Sequence, residues 1–333
     1  MSATSHPEVS GTEPRPRSFG LGPVAAGSFA EAWSAIACGG EPWHIPRLPG
    51  RGMLAGQLAQ TAAVAPDVGF DRGPRGFRLC ARPGRVTHAA RDGLARDLDE
   101  MAELAAGIEE IKVQLFGPWS LACELELANG HRAVSDQGAV NELAAQLAAG
   151  IEVLVAGLSG RLSIAPARVH VQFDEPWLSR VIAGSVPGTH QFDSIAARSP
   201  ERCLEALAVP ASAAPGPVLL AVGPDSVPGG SMSAIVEVAT GLEKCAGTGD
   251  ESGFSLIVGG VAQAARALDA VGGWLDAGYR LGLEGADAQP AADLLGLLGL
   301  VDRAGLIDVV ADGRAPSPSA AYRAALYAAR ALG

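Results

Sequence analysis

The sequence predicts an α/β protein built as a single (β/α)8 barrel, and two observations support this. Short apolar runs bounded by Gly, Pro or charged residues alternate with longer segments whose apolar residues recur at helical spacing. This alternation repeats about eight times over roughly 300 residues, as in TIM barrels. An open doubly wound sheet is the main alternative, but Gly20-Leu21-Gly22-Pro23 is not a dinucleotide-binding G-x-G-x-x-G turn.

The predicted strands are short and apolar, as expected for strands that are buried on both faces. In chain order they are Ser18–Leu21, Gly76–Cys80, Ile111–Phe116, Val169–Phe173, Val218–Val222, Ala234–Val238, Ser255–Val258 and Leu306–Val310. The predicted helices between them are Phe29–Ala37, Met53–Ala63, Leu94–Ala106, Val140–Leu158, Val261–Leu275, Ala291–Arg303 and Ala320–Leu332. Residues 1–16 are polar and rich in Pro, Ser and Glu, which predicts a disordered tail before one barrel at residues 17–333.

The composition narrows the classes of function. Of 333 residues 48% are hydrophobic and 18% charged, the formal net charge is −11, and Lys112 and Lys244 are the only lysines. An acidic chain without a basic run disfavours nucleic acid and anionic membranes as partners. The apolar segments are interrupted by charges or glycines, so a membrane span is not expected. Five scattered cysteines without C-x-x-C spacing, and no signal-peptide core near the amino terminus, predict a cytoplasmic protein.

The strongest candidate for a functional site is Val171–Pro176, where an apolar run leads into two adjacent carboxylates and then a proline. A strand that ends in this way delivers charge to the carboxyl-terminal rim of a barrel, where such folds hold their active sites. Because side chains alternate along a strand, Asp174 and Glu175 are expected to point to opposite sides. We interpret Asp174 as a substrate-binding carboxylate for a cationic group. For Glu175, substrate binding and a helix cap before Pro176 are comparable alternatives.

A second strand end, Phe116-Gly117-Pro118-Trp119, places a flat apolar side chain beside a glycine that permits close backbone approach. Trp119 is therefore a candidate substrate-binding residue, with ordinary packing as the alternative. The metal-binding spacings H-x-C, H-x-x-x-H and H-E-x-x-H are absent from the sequence, and so are G-x-S-x-G and the P-loop. Local spacing alone thus predicts no metal site.

Taken together, these segments resemble the carboxyl-terminal catalytic barrel of cobalamin-independent methionine synthase, especially its short single-barrel bacterial relatives. The resemblance covers nearly the whole chain after the tail, with the motifs in the same order. The similar segments are Leu48–Gly52, Val113–Trp119, Val171–Pro176 with Ala183-Gly184, and Ser317–Leu332. The resemblance implies a barrel of the type shared with uroporphyrinogen decarboxylase. It also implies a methyltransferase of methionine biosynthesis that transfers a methyl group from a folate to a thiol such as that of homocysteine.

The resemblance also implies roles for single residues. In the family, a zinc ion held by His, two Cys and Glu lowers the pKa of the substrate thiol. Asp174 matches the aspartate that holds the amino group of the amino-acid substrate, and Glu237 matches the zinc-binding glutamate. Gly22 lies in the early substrate loop, which reads Leu21-Gly22-Pro23 in place of I-G-S. The other three zinc-ligand positions hold Ala221, Gly223 and Gly313.

Three hypotheses of function follow. The first is a methionine-synthase-like barrel with a degenerate zinc site, no bound zinc, and a small-molecule pocket for an amino-acid-like substrate near Asp174. The second is a pseudoenzyme, a stable barrel that binds a ligand or a protein partner without catalysis. The third is a metal-independent enzyme of the uroporphyrinogen decarboxylase type, which needs arginines that converge on acidic substrate groups. The candidates for that role are Arg78, Arg82 and Arg85.

Overall fold

The computed structural model describes residues 14–189, 193–223, 231–245, 254–285 and 287–333, so most of the predicted tail lies outside the described residues. The strands are β1 (Arg17–Gly20), β2 (Trp43–His44), β3 (Gly69–Gly73), β4 (Gly76–Cys80), β5 (Ile111–Phe116), β6 (Leu125–Glu126), β7 (Val169–Asp174), β8 (Val218–Ala221), β9 (Ser255–Val258), β10 (Arg280–Glu284) and β11 (Ile307–Ala311). The helices are α1 (Phe29–Ile36), α2 (Gln57–Val64), α3 (Arg85–Leu104), α4 (Pro118–Glu124), α5 (Gln137–Leu162), α6 (Leu178–Ala183), α7 (Pro200–Ala211), α8 (Ser231–Cys245), α9 (Val261–Ala264), α10 (Leu268–Asp276), α11 (Ala288–Leu298) and α12 (Pro318–Leu332).

Eight of these strands form a parallel sheet that closes on itself. Its order is β1, β11, β10, β9, β8, β7, β5 and β2, and each neighbouring pair is parallel. Just beyond β1 and β2 the ring closes through a parallel bridge between Pro23 and Arg47, where the Arg47 amide donates to the Gly22 carbonyl at 2.9 Å. Barrel strands that follow one another in the chain are neighbours in the ring, and helices connect them. The predicted (β/α)8 barrel is confirmed.

Alternation along the strands separates an outer core from the barrel interior. On β7, Val169, Val171 and Phe173 belong to the large apolar core shared with the helices. A second, smaller apolar cluster lies inside the barrel and consists of Phe19, Leu219, Ala221, Ile257 and Val310. The polar side chains of β5 and β7 alternate with the outer apolar ones, so they face the same interior.

Two predicted strands are corrected by the structure. Gly76–Cys80 is a strand, but it pairs with β3 and β6 in a separate three-stranded sheet instead of the barrel. Ala234–Val238 is part of helix α8. Its β-branched residues suggest a strand, yet the buried positions recur every three or four residues, as helical packing requires. These positions are Met232, Ile235, Val238, Ala239 and Leu242.

A buried ion cluster lies at the amino-terminal end of the barrel. Asp308, which is fully buried on β11, accepts hydrogen bonds from Arg17 on β1 at 2.7 and 2.9 Å. It also accepts bonds from Arg280, the first residue of β10, at 2.7 and 3.0 Å. The cluster ties together three adjacent strands at the face of the barrel that usually serves stability.

Helix α5 is long and apolar enough, by length and composition, to cross a membrane, and 44% of its most apolar window is buried inside the protein. Leu143, Leu147, Ile151 and Leu154 are buried against the rest of the fold, as their spacing in the sequence predicts. The core helix of a soluble protein passes the same test, so α5 does not indicate a membrane partner.

Candidate functional site at the carboxyl-terminal mouth of the barrel

Asp174 ends β7 on the inner face of the barrel, at its carboxyl-terminal mouth. One carboxylate oxygen accepts a 2.5 Å hydrogen bond from the Gln172 side-chain amide. The other accepts a bond from the amide of Gln57, the first residue of α2. Burial raises the pKa of Asp174, and the opposing effects of the amide bonds and of the charges on Lys112 and Arg47 do not reverse this. Because both of these hydrogen-bond partners are neutral, direct contact with them leaves the negative charge uncancelled.

Beneath Asp174, a buried lysine continues the line of polar groups into the barrel. Lys112 on β5 is fully buried, and its Nζ donates to the Gln172 Oε1 at 2.5 Å. The ammonium also lies 5.7 Å from the centroid of the Phe19 ring. Burial lowers the pKa of Lys112 to about 7, although the negative charge of Asp174 opposes this. Lys112, Gln172, Asp174 and Gln57 form what we call the interior polar chain.

Further charged groups stand at the same mouth. Glu284 ends β10 and pairs with Arg314 at 2.5 Å, and Arg314 also contacts Asp312 just after β11 at 3.1 Å. Burial raises the pKa of Glu284, and the negative charges of Asp312 and Asp174 raise it further. The positive charge of Arg314 opposes this shift without reversing it. Three carboxylates thus share the mouth with the exposed Arg314. Glu284 and Asp312 are paired with Arg314, whereas among the described residues Asp174 has hydrogen bonds only from neutral amides, so Asp174 is the candidate partner for a cationic ligand group.

Glu175 points away from this mouth, as strand alternation predicts. Its carboxylate is fully buried and accepts hydrogen bonds from the backbone amides of Trp119 and Ser120, at 3.0 and 2.8 Å. The Ser120 hydroxyl donates to the same carboxylate at 2.6 Å. These donors form the amino-terminal turn of α4, so Glu175 caps that helix. The prediction of Glu175 as a substrate-binding residue is therefore corrected: it caps α4, not the segment after Pro176.

The stability that the Glu175 cap contributes is expected to depend on pH. Burial raises the pKa of Glu175 from 4.5 to about 7 in spite of its three hydrogen bonds. The folded protein then keeps a proton that the unfolded chain releases, so stability falls as the pH rises between these values. We expect the free energy of unfolding of the native chain, relative to Glu175→Gln, to fall by about 2–3 kcal/mol between about pH 4.5 and about pH 8. Urea unfolding at several pH values measures this difference.

A suitable control for the Glu175 experiment is Glu205→Gln, because Glu205 is an exposed residue of α7 with an exposed arginine partner. This pair is expected to change stability by less than about 1 kcal/mol at any of these pH values. A difference between the native chain and Glu175→Gln that stays constant with pH contradicts the assignment of a buried, protonated cap.

Trp119 and Gly22, both predicted to bind substrate, have structural roles, and the substrate-binding role of Gly22 stays a prediction. Trp119 is fully buried, and its indole N–H donates to the Cys203 carbonyl on α7 at 3.0 Å, so no ring surface faces the mouth. The prediction for Trp119 is thus wrong, and ordinary packing holds. Gly22 has φ +135°, and a Cβ there would overlap the Gln114 side-chain amide. Gly22 therefore permits the tight closure of the barrel between β1 and β2.

A zinc ion does not fit the residues that the family resemblance assigns to it. A zinc site needs at least three ligands from His, Cys or carboxylate side chains. In the ranges that the structure describes, no three such side chains group closely enough to hold a metal ion. Glu237, predicted as the retained ligand, lies on the exposed side of α8 and not at a strand end, so that expectation is corrected.

Neighbouring groups occupy the space around the three positions that correspond to the other zinc ligands of the resembled family. Ala221 packs in the apolar cluster inside the barrel. A Cβ added to Gly223 would lie 3.0 Å from the Pro176 side chain, and one added to Gly313 would overlap the Pro23 carbonyl oxygen. A cysteine at residue 313 would therefore require the backbone to move.

The arginines required by the decarboxylase hypothesis do not belong to the barrel strands. Arg78 lies on β4 in the separate sheet, 3.7 Å from Glu126. Arg82 and Arg85 follow in the connection to α3 and at its first residue. The structure gives no support to this hypothesis.

Comparison with known proteins gives only distant similarity. No family model matches the chain, and neither does any curated protein. Among solved structures, the chain is similar to a B12-independent methionine synthase from Shewanella sp. W3-18-1 in complex with selenomethionine. The identity is 15% and the TM-score 0.42, and the match covers 70% of this chain and 64% of that one. The chain therefore spans less than two thirds of that protein, and a likeness this distant carries no argument about function.

Proposed function

We propose that this chain is a methionine-synthase-like barrel with a degenerate zinc site, which binds a small cationic molecule of the amino-acid type at Asp174. The observation that carries the proposal is the Asp174 carboxylate, held at the mouth by the neutral amides of Gln57 and Gln172. A carboxylate fixed by neutral donors keeps its charge available for an incoming ammonium group.

Two features support binding without the metal-dependent chemistry of the resembled family. The zinc-ligand positions lack suitable side chains, and the position at Gly313 has no room for one. The interior polar chain, in contrast, is complete from Lys112 to Gln57. The second candidate function is a pseudoenzyme, and the closed position at Gly313 is the observation that favours it. The cytoplasmic location stays a prediction from the sequence.

Titration calorimetry of the full chain with L-homocysteine and with L-methionine tests the proposal. We expect Asp174→Asn to weaken binding about tenfold or more, because it removes a charge-assisted hydrogen bond to the ligand ammonium. The matched control is Asp312→Asn at the same mouth, since Asp312 is already paired with Arg314. We expect this control to change affinity less than about threefold. Equal affinity of the native chain and Asp174→Asn contradicts the proposed anchor.

Two further measurements separate the candidate functions. Metal analysis of the purified protein is expected to find zinc well below one ion per chain, and stoichiometric zinc contradicts the degenerate site. An assay of methyl transfer to homocysteine then distinguishes an enzyme from a pseudoenzyme. Binding without turnover supports the pseudoenzyme, whereas turnover lost in Asp174→Asn supports a metal-independent enzyme.

A further inference from the structure

The two charged members of the interior polar chain, Lys112 and Asp174, are linked by a single amide. Gln172 accepts from the Lys112 Nζ at 2.5 Å through its Oε1 and donates to the Asp174 Oδ1 at 2.5 Å through its Nε2. This fixes the orientation of the amide, because a flipped Gln172 would place its N–H groups against the ammonium. Its oxygen therefore faces Lys112, and its N–H group faces Asp174.

Lys112 has few groups that stabilise its positive charge. It donates a hydrogen bond to Gln172 and lies over the face of the Phe19 ring, and its side chain is fully buried. The charge of Asp174, across the amide, favours the ammonium form, while burial and the charge of Arg47 oppose it. A neutral amine still donates an N–H to Gln172, so loss of the proton breaks no hydrogen bond.

From this arrangement we infer that a cationic ligand bound at Asp174 displaces a proton from Lys112. The ligand ammonium neutralises Asp174, and Lys112 then loses the one negative charge that favours its protonated form. Its N–H bond breaks heterolytically, the electron pair stays on Nζ, and the proton passes to the solvent buffer. One positive charge enters the barrel and one leaves, so the net charge of the interior is unchanged. The ligand part of this inference rests on the proposed function.

Of the other ionisable groups near the chain, His44 and Arg47 keep one charge state over the relevant range. His44 on β2 has a pKa far below its ordinary value through burial and the charge of Lys112, so it stays neutral. Arg47 beyond β2 has its pKa lowered by burial to about 10 and stays charged. Burial raises the pKa of Glu284 at the end of β10 and of Glu175 on the other side of β7, and the charge of Asp174 adds to both shifts. A response of either carboxyl is distinguishable from one of Lys112 by lysine-specific detection.

The composition makes that detection simple, because Lys112 and Lys244 are the only lysines. Protein with 13Cε-labelled lysine gives two lysine resonances, and Lys244→Arg, a change at an exposed position of α8, assigns them. We expect the Lys112 resonance to titrate near neutral pH in the native chain. In Asp174→Asn its midpoint is expected to move down by about one unit or more, because the favourable charge is lost. Asp312→Asn is the matched control and is expected to leave the midpoint in place.

The native chain supplies a second measurement that does not depend on folding of the variant. Saturating L-methionine is expected to lower the Lys112 midpoint in the same direction. Proton release is then largest at pH values between the bound and free midpoints, and it vanishes well above the free midpoint and well below the bound one. The same Lys112 titration in the native chain and in folded Asp174→Asn overturns the inference. Methionine that binds without moving the resonance also overturns it, while the proposed function stands. If methionine does not bind, the proposed function fails, and the comparison with Asp174→Asn still decides the coupling.

Discussion

Replacing Asp308 by Asn is expected to lower the free energy of unfolding by about 3–5 kcal/mol, because it leaves two arginines beside a neutral amide in a buried site. Asp308 is fully buried, and Arg17 and Arg280 each contact it at 2.7 Å. Burial alone would raise the pKa of Asp308, but the two guanidinium groups hold it well below its ordinary value of 3.8. The stabilisation is therefore present above pH 3.8 and is lost as the pH falls toward the folded-state pKa.

Urea unfolding at neutral pH, with Asp99→Asn as control, measures this effect. Asp99 also pairs with an arginine, Arg161, but its side chain is 67% exposed. The control is expected to lose less than about 1 kcal/mol. Similar losses in the two variants would show that the cluster does not hold the amino-terminal end of the barrel together.

Replacing Trp119 by Ala is expected to lower the free energy of unfolding by about 3–5 kcal/mol, the cost of a large cavity in a well-packed core. Trp119 is fully buried between α4 and α7, and the substitution also leaves the Cys203 carbonyl without its indole donor. The measurement is again chemical denaturation, and we expect Trp119→Phe to recover most of the loss.

The comparison for Trp119 is Trp177→Ala. Trp177 is half-buried, and the guanidinium groups of Arg132 and Arg180 each lie 5.4 Å from the centroid of its ring. Its replacement by Ala is expected to lower the free energy of unfolding by only about 1–2 kcal/mol. A Trp119→Ala variant that keeps native stability but loses methionine binding would show that Trp119 contributes to the ligand site.

The barrel is predictable from the sequence because its wall needs apolar residues at alternate strand positions. The two missed barrel strands show the limit of that rule. Trp43–His44 is only two residues long and gives no pattern. Arg280–Glu284 carries charges at both ends that look like a surface segment, and only the tertiary partner of Arg280, Asp308, makes it a buried strand. The predicted number of strands agrees with the barrel although two predicted strands lie elsewhere.

The candidate site was predictable only where one segment carried the whole signal. The end of β7 indicates Asp174, because the alternation and the proline are local. Gln57 and Glu284 reach the mouth from distant parts of the chain, and no spacing in the sequence relates them to Asp174. Lys112 and Gln172 did leave a signal: polar residues that alternate with Val and Ile in an otherwise buried strand indicate an inward-facing polar group.

The contact of Gly313 with Pro23 limits which residue can stand at position 313. The carbonyl oxygen of Pro23 occupies the space that a side chain at residue 313 would need. At residue 223, in contrast, an added Cβ would press on the Pro176 side chain. A larger residue at 313 therefore requires the loop after β1 to shift first. The backbone at Pro23 thus restricts residue 313 to glycine, whatever chemistry a longer side chain would bring.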